Sequence, residues 1–286
     1  ICQRLTGKIS SASINRSMIF WYGAALGDLW FSAENARLLA GESAAALEAS
    51  YSPEMQCIPL GTDMGGGHDG NRRITIDTLA PTIQLLSHNE HSRVQDIAQR
   101  HLNTTLAACR TKEGAYHTGA LYDQGAFRPT DQAGMWSRGQ AWAMLGLSRA
   151  AARWGDPYLS YAQSACNYWQ NSRPEPLPPS RLDRSSGSCD PSSSVIASLS
   201  MLSLATLIPD GNRWNAYAHR QITAVIRSQY FTGLQGESDG AAAGIFWGSS
   251  YRTKPGTDEL VESAWGSLFL MAALCILAGV IEPTDC

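Results

Sequence analysis

Apolar residues cluster at helical spacing along this chain, and one pattern repeats four times: an apolar helix end, a short polar turn, then a helix rich in alanine and aromatic residues. The first such hairpin is read over residues 36–40, with a turn at Gly41-Glu42-Ser43 and a second helix over 44–49. The second runs over 83–86, turns at Ser87-His88-Asn89-Glu90 and resumes through Val94, Ile97 and Ala98. The third spans 144–154, turns at Gly155-Asp156-Pro157 and continues over 158–169. The fourth spans 194–207, turns at Pro209-Asp210-Gly211 and continues over 214–226. Glycine tolerates the left-handed conformation that ends a helix, and proline suits the first turn of the next one.

The turns fall near positions 42, 89, 156 and 210. A recurrence of roughly 50–70 residues is the mark of stacked helix pairs. The first helix of each pair is the more uniformly apolar, as an inner helix covered on all sides must be. The second carries the charges, among them Arg93, Asp96 and Arg100, then Arg213, Arg220 and Arg227. A last apolar helix over 259–280 would complete an inner ring, and no β-type alternation of useful length is visible. The pattern predicts an all-α fold, an α/α toroid formed by residues 1–286 as a single domain. Three Gly/Ser/Pro-rich connections, 61–71, 173–188 and 233–243, are placed to rim a central cleft. The second of them holds four prolines and reads as a plain surface connection.

Composition narrows the function. With 44% hydrophobic and only 16% charged residues in 286, the chain can bury a large core. A net charge of −3 without a clustered basic excess speaks against a nucleic-acid surface. The apolar run 268–281, interrupted by Gly279, is too short to span a bilayer and lacks basic flanks, so a buried core helix is expected and no membrane partner. The opening Ile1-Cys2-Gln3-Arg4 has no signal-peptide pattern, and the lack of an initiator methionine points to a missing or processed start. Cytoplasmic and secreted locations both stay open. Seven cysteines are scattered without a CxxC pair, and Cys109, Cys166 and Cys275 sit in apolar helical contexts as small hydrophobes. His88 and His91 lie three apart without a third ligand, so neither a metal nor any other cofactor is expected.

The densest chemical signal is Trp136-Ser137-Arg138-Gly139-Gln140-Ala141-Trp142. Two tryptophans suit the apolar faces of sugars, a guanidinium suits a carboxylate, and a glycine lets another group approach closely. The segment opens the inner helix of the third hairpin, which aims it at the cleft mouth. The plainer reading of the same residues is a helix start with tryptophans in the core.

That heptapeptide resembles the signature of unsaturated glucuronyl hydrolases, glycoside hydrolase family 88. Other landmarks resemble the family's segments in the same order. They are Leu26-Gly27-Asp28-Leu29-Trp30-Phe31, the stretch from Ala49 through Ile58, Ile74-Thr75-Ile76-Asp77-Thr78-Leu79, Ala115-Tyr116-His117, Asp190-Pro191-Ser192-Ser193-Ser194, and Asp258 to Gly266. The resemblance runs from about residue 24 to 280 and implies an (α/α)6 barrel of six helical hairpins. It implies Asp77 as general acid and base, with Asp28 as its carboxylate partner. Both are expected to begin or precede inner helices and face one cleft, where two close carboxylates keep one proton near neutral pH. It also implies that His117, Gln132, Trp136, Arg138 and Trp142 line a saccharide site, with Arg138 for a uronate carboxylate and Trp136 or Trp142 for stacking. The implied substrate is an unsaturated uronic-acid oligosaccharide, with no protein partner required. Without the resemblance, either aspartate reads more simply as a helix N-cap and His117 as structural.

Three departures matter. Gly27 stands where the family has His, Trp30 where it has Gly, and the stretch from Gln132 to Trp136 is shortened. Trp30 is expected to narrow a pocket at Asp28. Much of the family's N-terminal region has no counterpart before Asp28, so the ring of hairpins is expected to be incomplete there. These departures sustain a second hypothesis, a non-catalytic saccharide-binding α/α domain. A third is an unsaturated rhamnogalacturonyl hydrolase, against which Gln140 speaks.

Overall fold

The computed structural model describes residues 5–88, 92–184, 188–232, 244–254 and 257–285. Its contacts gather into two compact units, one holding residues 1–133 and the other 134–284. The expected connection over 233–243, positions 89 and 90 of the expected second turn, and His91 lie outside the described residues.

In the first unit, α1 (Arg16–Phe20) runs through one π turn, Trp21–Ala25, into α2 (Leu26–Phe31). That helix ends where Ser32 takes a left-handed φ of 50°, and α3 (Glu34–Glu48) follows at once. The first hairpin therefore turns at Ser32–Ala33. The turn expected at Gly41-Glu42-Ser43 is absent, because α3 passes straight through it. Gly41 sits on the exposed face with no neighbour, so here glycine marks no break. Buried Arg16 fastens the preceding segment to the end of α3 by donating to the carbonyls of Ile9, Ser11 and Ala46 and to the Ser50 hydroxyl. The α2–α3 packing explains Gly27: a Cβ there would stand 3.3 Å from that of Ala36.

The second hairpin has the expected form, α4 (Leu79–His88) followed by α5 (Ser92–Cys109). Every residue of α4 from Leu79 to Ser87 except Gln84 is buried, whereas α5 buries one stripe. Three short strands, unexpected from the sequence, complete the unit: β1 (Arg73–Thr75), β2 (Gly119–Asp123) and β3 (Ala126–Pro129) in one antiparallel sheet. At three to five residues each they are too short to show alternation. Thr75 pairs with Gly119, where a Cβ would lie 2.4 Å from the Ile74 carbonyl oxygen, so glycine permits this pairing.

In the second unit the third hairpin is α6 (Ser137–Trp154) and α7 (Tyr158–Ser172), and the fourth is α8 (Pro191–Leu207) and α9 (Asn212–Ile226). Both turns fall where the Gly-Asp-Pro and Pro-Asp-Gly segments predict. Helices α6 and α8 are buried along most of their length. Several serines at the start of α8 are satisfied by donating back along the chain, as Ser193 does to the Asp190 carbonyl and Ser198 to that of Ser194.

A two-stranded ribbon, β4 (Ser249–Lys254) and β5 (Thr257–Val261), precedes α10 (Ala264–Leu277). The last helix thus starts later than expected, and the Ser263 hydroxyl caps it by accepting from Gly266 N–H. It buries Phe269, Leu270, Ala272, Ala273 and Ile276 but leaves Met271 and Leu274 exposed, so it is not a wholly buried core helix. No helix among the described residues is long and apolar enough to cross a membrane.

Candidate active site

Asp77 stands two residues ahead of α4, directly after β1, as an acid preceding an inner helix should. Its Oδ1 accepts a hydrogen bond from the Thr75 hydroxyl at 2.5 Å. The same hydroxyl lies 3.3 Å from the Thr118 carbonyl oxygen, which also accepts from Ile76 N–H at 3.0 Å. Thr118 N–H in turn donates to Oδ1 of Asp131 at 3.0 Å. Next to it, Nδ1 of His117 is 2.6 Å from the Asp131 carbonyl oxygen. A carbonyl can only accept, so His117 carries a proton on Nδ1 and leaves Nε2 as the other face of the ring. Thr75, Thr118 and Asp131 thus lie between Asp77 and His117, with the single Thr75 hydroxyl proton having two acceptors in reach, Asp77 and the Thr118 carbonyl. Sequence reasoning picked out Asp77 and His117. Thr75 and Asp131 were missed, and their only signal is nearness to those two.

Asp28 is placed differently from expectation. It lies inside α2 rather than before it, and both carboxylate oxygens are engaged: Oδ1 accepts from Arg37 Nε and Oδ2 faces His88 Nε2, each at 3.0 Å. Burial pushes its carboxyl up, but the hydrogen bonds from His88 and Arg37 win and hold it below the usual carboxylate range. Asp28 lines a cavity of about 370 Å³ with Arg37, Gly41, Ala44, Leu85 and His88. Neither Asp77 nor Trp30 is among the described residues that line it, so Trp30 does not narrow this cavity. His88, one of the two histidines weighed as metal ligands, is a partner of Asp28. Gln132 is exposed in the turn between β3 and α6.

In the second unit the tryptophan motif opens α6, and its first indole lies back over the helix. A Cβ on Gly139 would stand 2.4 Å from the Trp136 ring, so the group that this glycine admits is that indole. Arg138 is only 7% exposed, and one of its nitrogens pairs with the wholly buried Asp190 while the other donates to the Ser250 carbonyl at 2.9 Å. The carboxylate that Arg138 meets in this structure is thus Asp190, where the sequence suggested a uronate. Burial pushes the Asp190 carboxyl above its usual range despite Arg138 beside it. The guanidinium also lies over the rings of Trp136, Tyr251 and Trp265, 5.2 to 5.5 Å from their centroids. Trp142 is 3% exposed and packs on Trp265 and Phe269. It is a core residue, and of the two tryptophans Trp136 alone keeps appreciable exposed surface.

The connection over 173–188, read as plain surface, is what holds this motif. Ser137 N–H donates to the Ser180 carbonyl, its hydroxyl donates to that of Pro179, and Leu182 N–H donates to that of Met135. Buried Arg173 donates to the Ser137 hydroxyl and the Gly134 carbonyl and stacks on Trp169. Burial lowers its pKa to about 10, which leaves it charged at neutral pH.

By sequence, no known family model and no curated protein matches the chain. By structure, it is similar to solved enzymes over nearly its whole length. A UGL variant with dGlcA-Glc-Rha-Glc superposes with a TM-score of 0.85 at 22% identity, covering 98% of this chain and 78% of that one. The fold is the α/α barrel of helical hairpins. An unsaturated glucuronyl hydrolase from Bacillus sp. GL1, responsible for the degradation of glycosaminoglycan, gives 0.82 at 22% identity over 94% of this chain and 75% of that one. The unsaturated glucuronyl hydrolase from Streptococcus agalactiae gives 0.81 at 17% identity over 99% and 75%. Four hairpins and the closing helix of this α/α barrel are present among the described residues.

Proposed function

We propose that this chain is an unsaturated glucuronyl hydrolase, working as one catalytic domain over residues 1–286 on the non-reducing end of lyase-generated oligosaccharides. The observation that carries the reading is Asp77, held ahead of α4 by the Thr75 hydroxyl, with Thr118 and Asp131 leading from Thr75 to His117. The likeness of fold to enzymes of that name supports it.

The chemistry is hydration of a vinyl ether. Asp77 gives its proton to C4 of the 4,5-unsaturated uronic acid, so the C4=C5 pair of electrons forms the new C–H bond and C5 becomes an oxocarbenium centre. Water adds at C5 and its surplus proton returns to Asp77, which restores the acid. The hemiketal opens to a ketone, and collapse of the resulting hemiacetal at C1 releases the neighbouring sugar. One water is consumed, and a single carboxyl acts as acid and then as base, unlike the two-carboxylate cleavage of ordinary glycosidases. Asp28, held below the usual carboxylate range by His88 and Arg37, adds negative charge to the first unit from a cavity that Asp77 does not line, and its part as carboxylate partner is through that charge rather than through contact. His117, with Nδ1 held by the Asp131 carbonyl, turns Nε2 to a sugar hydroxyl, and Gln132 offers an exposed amide. In the second unit Trp136 supplies an aromatic face for saccharide, while Arg138 and Trp142 hold that face in place.

The substrate class is set by the double bond and the uronate. Among the similar proteins one is specific for heparin and another was captured with dGlcA-GalNAc6S. For this chain we propose an unsaturated uronyl disaccharide without choosing the second sugar. The test is incubation with unsaturated disaccharides from glycosaminoglycan, gellan and pectin lyases, following the loss of the ultraviolet absorbance of the C4=C5 bond. Loss on the glucuronyl members supports the reading. Loss confined to the pectin-derived member points to a rhamnogalacturonyl enzyme, and no loss on any of them from a folded chain removes the hydrolase reading in favour of a binding domain.

A further inference from the structure

We propose that Thr75 is a positioning residue that lets Asp77 alternate between its protonated and ionised forms without losing its hydrogen bond. The inference rests on Asp77 being the acid of the proposed reaction.

The Thr75 hydroxyl has one proton and two acceptors in reach, Asp77 Oδ1 at 2.5 Å and the Thr118 carbonyl at 3.3 Å. When Asp77 is ionised, the hydroxyl donates to the carboxylate, and 2.5 Å is the short end of a charge-assisted O–H···O⁻ bond. When Asp77 is protonated, its O–H donates to the Thr75 oxygen. The Thr75 proton then swings about Cβ–Oγ onto the Thr118 carbonyl. Each state leaves a hydrogen bond on Asp77, and no heavy atom moves between them. A group that must lose a proton to carbon and regain one from water in every turnover needs such a partner. A fixed N–H donor would favour only the ionised form, and a fixed carbonyl only the protonated one.

The sequence and the sheet make this relay rigid. Thr75 is a β-branched residue at the end of β1, paired across to Gly119, and Thr118 precedes that glycine. Ile76 N–H and the Asp131 carboxylate fix the Thr118 peptide from its two ends. Among the described residues, the titratable groups at the Thr75 end of this strand pair are His117, Asp131 and, at the end of α5, Cys109, whose carbonyl accepts from His117 N–H, while Arg73 on β1 and Tyr122 and Asp123 on β2 lie toward its other end. Burial first, and the nearby Asp131 second, push the Cys109 thiol up to about 12, so it stays neutral. Replacing Thr75 leaves all of these groups in place, so a change seen on replacement belongs to the hydroxyl.

The test is an NMR titration of the Asp77 side-chain carboxyl in the full chain, comparing wild type, Thr75→Val and Thr75→Ser. Removing the hydroxyl takes a charge-assisted bond from the ionised form and a weaker neutral bond from the protonated form, so the titration midpoint rises by the difference, about half a pH unit to one unit. Thr75→Val is expected to shift upward by that amount, and Thr75→Ser, which keeps the hydroxyl, to titrate with wild type. Thr75→Ala carries the same expectation as the valine variant if valine does not fold. In turnover, loss of the hydroxyl lowers kcat at unchanged KM and moves the alkaline limb of the pH profile upward, with serine restoring both. A valine or alanine variant that titrates with wild type overturns the proposal, as does a serine variant shifted as far as valine. If wild type turns over no unsaturated disaccharide, the hydrolase reading fails while the titration still decides the role of Thr75.

Discussion

Arg138 and Asp190, 52 residues apart in sequence, form an ion pair in the interior of the second unit, with Asp190 wholly buried. The pair brings the start of α6 to the start of α8. The Ser192 hydroxyl and the Arg138 guanidinium both serve the Asp190 carboxylate, and the guanidinium then carries the rings of Trp136, Tyr251 and Trp265. An aromatic wall is thus fixed by a buried charge pair, and the charge pair by two helix starts.

Breaking this pair from one side should be costly. Arg138→Met leaves the Asp190 carboxylate buried without a counter-charge, which costs about 3–5 kcal/mol. The double variant Arg138→Met with Asp190→Asn removes the stranded charge and recovers a large part of that loss. Urea unfolding curves of the two variants and wild type measure both effects. A single variant as stable as wild type would show that the pair does not hold the motif.

Gly139 gives a second expectation in the same place. A methyl group there would stand 2.4 Å from the Trp136 ring, so Gly139→Ala must push the indole off the helix. Overpacking of this kind costs about 1–3 kcal/mol. Tryptophan fluorescence of Gly139→Ala, read against wild type and Trp136→Phe, reports the displacement directly.

In the first unit, His101 is a pH sensor for stability. It is fully buried on α5, its Nδ1 accepts from Ile58 N–H at 3.2 Å, and Nε2 has no partner among the described residues. Burial pushes its pKa down to about 4, against 6.5 unfolded. Between those values the unfolded chain binds the extra proton, so stability rises with pH. The stabilisation is complete above about pH 6.5 and is lost as pH falls toward 4, a change of about 3 kcal/mol. His101→Asn keeps an acceptor for Ile58 and removes the titration. Thermal unfolding from neutral pH to pH 4 should therefore be flatter for the variant than for wild type.

The parts of the fold legible in the sequence are those decided locally. Gly155-Asp156-Pro157 and Pro209-Asp210-Gly211 end one helix and start the next by their own backbone preferences, and the structure turns there. The first hairpin was misread because Gly41 tolerates a helix and because a serine, Ser32, supplies the left-handed residue. Nothing in the type of that residue announces it. Strands β1 to β3 were missed because their stability comes from pairing with one another, which a three-residue segment cannot show by alternation.

The candidate site was legible to the same extent. The tryptophan motif stood out by composition, but its partners Asp190, Ser250, Tyr251 and Trp265 come from 52 or more positions away, and only folding reveals that they neutralise and wall in Arg138. The sequence offers Trp136 or Trp142 for stacking without separating them, and only the burial of Trp142 against Phe269 marks it as core. At Asp77 the proposed acid is indicated by resemblance alone. Thr75 and Thr118, the residues proposed to manage its proton, are ordinary threonines until the β1–β2 pairing places them.

The proposed chemistry depends on Asp77. Wild type and Asp77→Asn, shown to be equally folded, should be compared for the loss of ultraviolet absorbance from an unsaturated glucuronyl disaccharide. Wild type is expected to give steady loss and Asp77→Asn a rate lower by at least about a hundredfold, the scale expected when a general acid is removed. Equal rates in the two proteins would contradict this chemistry, and so would a folded wild type that leaves the disaccharide untouched.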